Sequence, residues 1–430
     1  MKMTNASTHT IPDGWRETTL GDAMILLGGG TPRTTEPTYW DGNIPWLSVA
    51  DFNNSSRWVS ETEKTITETG VSESATQVLR AGDLVLSARG TVGALAQLKK
   101  PMAFNQSCYG IRGIEGVSEI NFLFYKLRNE LRSLQKNVHG AVFDTITRET
   151  FDNICTYLPP LPEQKSIAAV LSSLDNKIEL LREQNKTLEA TAQALFKHWF
   201  VDFEFPNADG KPYRSSGGKM VDSELGEIPE GWGVHTIEDI TEVVTKGTTP
   251  TTAGGGFTEK GINFIKAETL TDNNGFDFSK MSFIDEKTND LLKRSVIKDG
   301  DILYTIAGTI GRFAVATEQV LPANTNQAVA IIRPSSNISP YFFVSTFGLL
   351  SIKQALTEGV LEAVQANLSL GNIKALSVIV PDDFGMSIFL THIEPLFRKC
   401  EESTSQIQSL AKTRDILLPQ LMRGDVRVTI

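Results

Sequence analysis

Between residues 171 and 199 the chain places a hydrophobic seam at alternating intervals of three and four: Leu171, Leu174, Ile178, Leu181, Asn185, Leu188, Ala192, Leu195 and Trp199, with one amide among them. That spacing is a heptad seam and predicts a long amphipathic helix. Pro162-Glu163-Gln164 supplies a suitable first turn. A helix over residues 163–201 is on the order of 58 Å long at 1.5 Å per residue. The same phase returns 222 residues later at Ile393, Leu396, Cys400, Ser403, Ile407, Leu410, Arg414, Leu417 and Leu421. Two such seams in one chain predict that each helix covers the other. The odd residue, Asn185, whose counterpart is Ile407, is then a candidate for fixing their register.

Outside these helices the period changes. "GDLVLSARGTVG" (82–93) and "GDILYTIAGTIG" (300–311) each read as a turn, a short strand and a glycine loop. "INFLFYKLRNELRSLQ" (120–135) reads as a helix, and "VFDTITRETFDNICTYLPPLP" (142–162) continues with a short strand that the prolines stop. The resemblance between the halves extends further: "IPDGW" (11–15) matches "IPEGW" (228–232), and "FNQSCYGIR" (104–112) matches "TNQAVAIIR" (325–333). The chain is therefore a duplication of one α+β domain followed by one long helix. The expected boundaries are a first domain over 1–158, its helix over 159–204, a Gly/Pro/Ser-rich linker over 205–227, a second domain over 228–382, and its helix and tail over 383–430. A pseudo-two-fold arrangement of the repeats makes the helices an antiparallel coiled coil. In the second half "LPPLPEQ" becomes "IVPDDFGMS", and Ser403 and Arg414 enter the seam, so the sequence marks the entry to that helix and the strength of its pairing less sharply.

Composition narrows the function. The 430 residues are 40% hydrophobic and 21% charged, as in ordinary globular domains. No apolar run is long enough to span a bilayer. With no apolar leader at the start, a reducing cytoplasm is the expected compartment. Net charge is −10, concentrated in residues 221–382, which hold 12 Lys/Arg against 20 Asp/Glu. Such a balance lowers the prior for a simple basic nucleic-acid glove. Catalytic signatures are missing: no Walker loop, HExxH or GxSxG occurs, and Cys108, Cys155 and Cys400 are far apart with no CxxC. "GGG" at 28–30 and 254–256 fits turns better than a nucleotide loop, and Asp83 and Asp301 fit turns better than an acid/base pair. The residues describe a two-headed binder.

These motifs, in order and twice over, together with "LPPLPEQKSIAAVLSSLDNKIELL" and "ALFKHWFVDFEFP", resemble the specificity subunit of type I DNA restriction–modification enzymes across essentially the whole chain. The resemblance implies two target-recognition domains, each reading half of a bipartite, non-palindromic site in double-stranded DNA, with the paired helices setting the spacing. It implies two modification subunits that use S-adenosylmethionine, and allows two restriction subunits that use ATP and Mg. This chain would hold no cofactor or metal, catalyse nothing itself and touch no membrane.

Candidate DNA contacts are polar or basic loop residues. In the first half these are Arg33, Thr34, Thr35, Arg89, Thr91, Asn105, Gln106, Phe143, Thr145 and Arg148. In the second they are Lys246, Thr248, Thr249, Thr309, Arg312, Asn326, Gln327, Gln365 and Asn367. Asn and Gln can pair with adenine. Because Asn105-Gln106 and Asn326-Gln327 recur in both halves, a shared turn-capping role is the stronger reading for them. Tyr39, Trp40 and Trp58 are groove candidates, though turn or core packing is the commoner fate of such residues. Two other readings compete: a non-catalytic scaffold whose heads bind proteins or glycans, and a stand-alone enzyme with an unrecognised site.

Overall fold

The computed structural model describes residues 11–52, 56–137, 145–358 and 367–428. The chain divides into two compact units, Met1–Arg182 with Gln406–Ile430, and Glu183–Ser405. Each unit thus contains one α+β head, part of the first long helix and part of the second.

In the first unit the head is built on a five-stranded sheet in the order Met24–Gly28, Cys108–Gly113, Leu84–Ser87, Leu95–Leu98, Trp58–Val59. The central strand Leu84–Ser87 is buried throughout, and its period-2 alternation divides two cores. Leu84 and Leu86 pack with Phe122, Leu123 and Phe124 of the head helix Ile120–Asn137. Val85 faces the other way, toward Leu47, Met102 and Phe104. A second, four-stranded sheet includes Trp40–Leu47 paired parallel with Met102–Phe104. Arg16–Thr19 pairs antiparallel with Cys155–Leu158, tying the start of the head to its end just before the long helix.

The second unit repeats this plan. Ile302–Thr305 lies between Val329–Pro334 and Phe313–Val315 in a four-stranded antiparallel sheet. Ile302 and Tyr304 face the helix Pro340–Gly348, while Leu303 faces Ile265 and Val329. Gly233–Thr236 closes against Ser377–Val380. In both units a mixed sheet carries the parallel pair, Phe264 standing beside Asn324 where Trp46 stands beside Ala103.

The first long helix runs Leu161–Phe196 and ends in a π-helical turn, Lys197–Val201. The second is interrupted: Asp383–His392 and Glu394–Arg423 are separate helices, where one continuous element was expected. Pro395 accounts for the break, because it has no N–H to continue the ladder and sits in the first turn of the second helix; Pro419, further along, is carried inside that helix. The two long helices are antiparallel within each unit. In the first unit Glu163 accepts from Arg427 (2.7 and 2.8 Å) and Asp175 from Arg414 (2.7 Å). In the second, Asn185 Nδ2 donates to Cys400 O and Thr404 Oγ1 (both 3.2 Å), and Trp199 meets His392 with ring centroids 5.6 Å apart. Partner numbers fall as helix numbers rise in both places. Leu171, Ile178, Leu181, Ala192, Ile393, Cys400 and Leu421 are buried, and Leu174, Leu188, Leu195, Trp199, Leu396, Ile407, Leu410 and Leu417 are half-buried. Every seam position is covered at least in part.

The polar seam residues are accommodated by specific partners. Arg414 meets Asp175, which also accepts from Tyr125 Oη (2.7 Å). The equivalent positions in the second unit are Ala192 and Phe397, set in an aromatic core with Phe196, Phe200, Phe342 and Phe389. The segment 205–227 is also ordered, where a linker was expected. Phe205 stacks between Tyr213 (4.6 Å) and Trp232 (5.0 Å), and Met220–Ser223 forms a hairpin with Gly226–Pro229. The aromatic residues outweigh the turn-rich composition around them.

Removing one member of a buried ion pair strands the other charge. Arg414→Met should therefore destabilise the first unit by about 3 kcal/mol, and Asp175→Leu/Arg414→Met should recover most of that loss. Urea unfolding of the single and double variants checks this. Equal losses in both would show that packing, rather than charge, makes Arg414 matter.

Candidate nucleic-acid interface

Four segments far apart in sequence meet at the end of the central strand in each head. After Leu84–Ser87 the chain makes a glycine loop, with Gly90 at φ +76° and Gly93 at φ +92°. Ser87 closes the loop, its Oγ donating to Thr91 O and accepting from Ala94 N (2.8 Å). Thr305 does the same in the second head, donating to Thr309 O and accepting from Arg312 N (2.9 Å), with Gly308 and Gly311 also at positive φ. Ala88 N then donates to Ser107 O (2.8 Å), and Ile146 N donates to Ala88 O (2.9 Å). The counterparts are Ile306 N to Ala328 O (2.8 Å) and Leu368 N to Ile306 O (2.9 Å). Arg89 bridges Thr145 as Ala307 bridges Asn367.

The turn holding Asn105-Gln106 is shared too. Asn105 Oδ1 accepts from Ser107 N, and Asn326 Oδ1 from Ala328 N, both at 3.1 Å. Gln106 Oε1 accepts from Thr31 Oγ1, and Gln327 Oε1 from Thr249 Oγ1 (2.6 Å). The loop carrying Thr31 lies so close to this turn that a Cβ on Gly29 would stand 2.1 Å from Asn105 O. The corresponding distance from Gly247 to Thr325 O is 1.8 Å, so only glycine fits at either place. Trp40 Nε1 donates to Arg33 O and Trp46 Nε1 to Gly30 O (both 3.1 Å), which pins the same loop. The indole of Trp40 is therefore a loop anchor, and Tyr39 and Trp58 are likewise half-buried.

This geometry sorts the candidates. Arg33, Thr34, Thr35, Arg89, Thr91, Gln106, Arg148, Lys246, Thr309, Gln327 and Asn367 are exposed around this junction or on the loops leading into it. Thr145, Thr248 and Thr249 are half-buried there. Phe143 and Gln365 lie outside the described residues. Asn105 and Asn326 have their carbonyl oxygens committed to the turn, so a two-point pair with adenine would require breaking it. Arg312 is engaged as well: Nε and Nη2 reach Asp272 Oδ1 and Oδ2 at 2.7 and 2.8 Å, and Nη1 reaches Leu270 O at 3.2 Å. That pairing holds the Asp272 carboxyl below its ordinary range. By contrast, Arg33, Arg89 and Lys246 have no ion-pair partner among the described residues, and Arg148 only lies over the Tyr109 ring at 5.8 Å.

Asp83 and Asp301 hold turns and brace neighbouring strands. Each accepts a backbone N–H, from Arg80 (2.9 Å) and Lys298 (2.7 Å), and a guanidinium, Arg112 Nε at 3.0 Å and Arg333 Nε at 2.7 Å. Among the described residues no group of three or more His, Cys, Asp or Glu is placed to hold a metal ion. Thr31 escaped the sequence reading, although it precedes a proline at the same repeat offset as Thr249, which was among the candidates. What the junction offers is a shared backbone frame displaying hydroxyls, amides and unpaired guanidinium or ammonium groups, which suits phosphates and base edges.

Comparison with known proteins places the chain in a family. The 28% identical MjaIX specificity subunit of Methanocaldococcus jannaschii aligns over 420 residues, 97% of this chain and 95% of that one. The EcoBI specificity subunit of Escherichia coli is 24% identical over 80% of this chain and 73% of its own length. The HindI specificity subunit of Haemophilus influenzae is 24% identical over 71% and 77%. A crystal structure of the type I restriction–modification S subunit from M. genitalium shares the fold, with a TM-score of 0.54 at 16% identity over 100% of this chain and 99% of that one. The profile of the type I restriction modification DNA specificity domain matches twice, over residues 12–190 and 229–385. With both heads and the start of each helical region inside those matches, the chain belongs to the type I restriction–modification DNA specificity family, as a DNA-recognition subunit.

Proposed function

We propose that each head reads one half of a bipartite, non-palindromic DNA site, and that the antiparallel long helices set the distance between the halves. The observation that carries this reading is the pair of junctions. Their glycine loops, their Asn-Gln turns and the bonds from these to the strand end recur in both, while the displayed side chains differ. Arg89 faces Thr145 in one head where Ala307 faces Asn367 in the other, and Arg148 opens a short helix where Leu370 opens its counterpart. A common frame with different side chains is what reading two different sequences requires.

The chain's part is recognition and assembly. Two modification subunits using S-adenosylmethionine would methylate the bound site, and restriction subunits using ATP and Mg would join them when cleavage follows. The acidic net charge of −10 fits such a division, because partner subunits then supply many of the phosphate contacts. Among the described residues no helix is long and apolar enough to cross a membrane.

Replacing residues 1–158 with the same region of another specificity subunit should change one half of the methylated sequence and leave the other intact. Sequencing the methylated DNA reads this directly; an unaltered pattern would contradict the assignment. Arg89→Ala and Lys246→Ala should each reduce the salt dependence of DNA binding by about one unit of log–log slope. Relaxed base preference after Arg89→Ala should be confined to the half read by the first head. Binding titrations of the assembled complex across a salt series check both.

A further inference from the structure

The first unit contains a cavity of about 300 Å³ between its head and its helix pair, lined by Arg57, Arg128, Arg132, Arg182, Arg414 and Phe124 among others. The five guanidiniums come from four elements: the approach to strand Trp58–Val59, the head helix Ile120–Asn137, and both long helices. Three carboxylates face them. Asp175 pairs with Arg414 (2.7 Å) and Arg128 (3.8 Å). Asp415 pairs with Arg414 (2.9 Å), Arg132 (3.1 Å) and Arg128 (4.0 Å), and Glu179 lies 3.9 Å from Arg182. Five cations against three anions leave an excess of two positive charges, in a chain whose total is −10.

Arg57 sharpens the imbalance. It is only 6% exposed, yet its hydrogen bonds go to neutral groups: Gln97 Oε1 (2.9 and 2.6 Å), Asn121 Oδ1 (2.6 Å), Tyr125 Oη (3.0 Å) and Ser172 Oγ (2.8 Å). Acids stand one bond further out: Tyr125 Oη donates to Asp175 (2.7 Å), which already holds Arg414 and Arg128, and Asn121 donates to Glu119 (2.6 Å). Burial and the neighbouring Arg414 and Arg132 draw Arg128 down to about 10, against the opposing pull of Asp175 and Asp415. A buried charge without a counter-charge is costly, so an excess of this kind calls for an anion.

The fold does not require arginines here. At the same place in the second unit a cavity of about 110 Å³ is lined by Glu189, Tyr341, Phe397, Cys400, Glu401 and Thr404. Along the repeat, Arg182 corresponds to Thr404, Glu179 to Glu401 and Ala411 to Glu189. One copy of the cleft is cationic and the other acidic and apolar.

We propose that the arginine-lined cleft of the first unit is a binding site for a phosphoryl anion, either free pyrophosphate or the polyphosphate end of a nucleotide. Guanidinium forks match phosphate oxygens in bidentate geometry, and several converging from different elements select a multiply charged tetrahedral group over chloride. An occupant would bridge the head to both long helices, stiffening the joint that orients the head.

Calorimetry and thermal melting of the full chain test this, using pyrophosphate, inorganic phosphate and ATP against sodium chloride at matched ionic strength. Pyrophosphate should bind at one site per chain and raise the melting temperature where matched chloride does not. Arg132→Gln/Arg182→Gln, whose side chains are 41% and 40% exposed, should weaken that binding at least ten-fold while the ligand-free melting temperature holds. ATP binding as tightly as pyrophosphate assigns the nucleotide source, and pyrophosphate alone assigns the free anion. An equal response to chloride, or pyrophosphate binding untouched by the double variant, would overturn the site. So would a double variant that loses its modification subunit while the native chain shows no pyrophosphate binding, which would assign the cleft to a partner's carboxylates.

Discussion

Neither long helix can leave its apolar seam in water, and each finds its cover in the other. The rest of the molecule is arranged around that constraint. Each compact unit contains a stretch of both helices, so a head does not stand on its own helix alone. The two units meet the requirement differently. The first uses a buried pair, Asp175 with Arg414, tied into the head through Tyr125. The second uses an aromatic core in which Phe196, Phe200, Phe342 and Phe389 interlock at centroid distances of 5.1 to 6.3 Å. Asn185 contributes two hydrogen bonds across the pair, while its own Oδ1 has no partner among the described residues, a stability cost of the kind that register-fixing amides carry.

The repeated motifs acquire physical roles on this frame. Trp15 of "IPDGW" donates to Glu163 at the start of the first long helix (3.3 Å), and Gln164 beside it bonds Glu119 N (2.9 Å), Val117 O (3.0 Å) and Pro159 O (2.9 Å). Glu163 also takes Arg427 from beyond the end of the second long helix. Head, helix start and helix end are thus joined at two buried side chains. The second repeat has lost that Glu-Gln pair, and its Trp232 instead enters the aromatic stack with Phe200, Phe203 and Phe205. "GD", the glycine loop and "NQ" form the frame of the junction at the end of the central strand, which explains why they appear in both heads.

The helices were legible because a heptad seam is a local signal, carried by residues only three or four apart. The duplication revealed the second helix and, through recurrence, the turn-capping role of Asn105 and Asn326. The break at Ile393 was less visible, since Pro395 lies within an otherwise continuous apolar phase. At 205–227, where glycine, proline and serine suggested a linker, composition did not show the order that Phe205 and Tyr213 give the segment. The meeting of residues near 31, 89, 106 and 145 was only half readable, because the sequence marks each as a loop but not which loops touch. Arg57 was invisible for the same reason: Gln97, Asn121, Tyr125 and Ser172 surround it from places 40 to 115 residues further along the chain.

The paired helices as a ruler are the central claim, and spacer length measures it most directly. Insert four residues, about one turn, into both long helices, after Glu183 and after Ser405, and sequence the DNA methylated by the assembled complex. Each insertion lengthens its helix by roughly 6 Å, so the spacer between the two half-sites should grow by about two base pairs while both half-site sequences stay the same. A spacer of unchanged length would contradict the account.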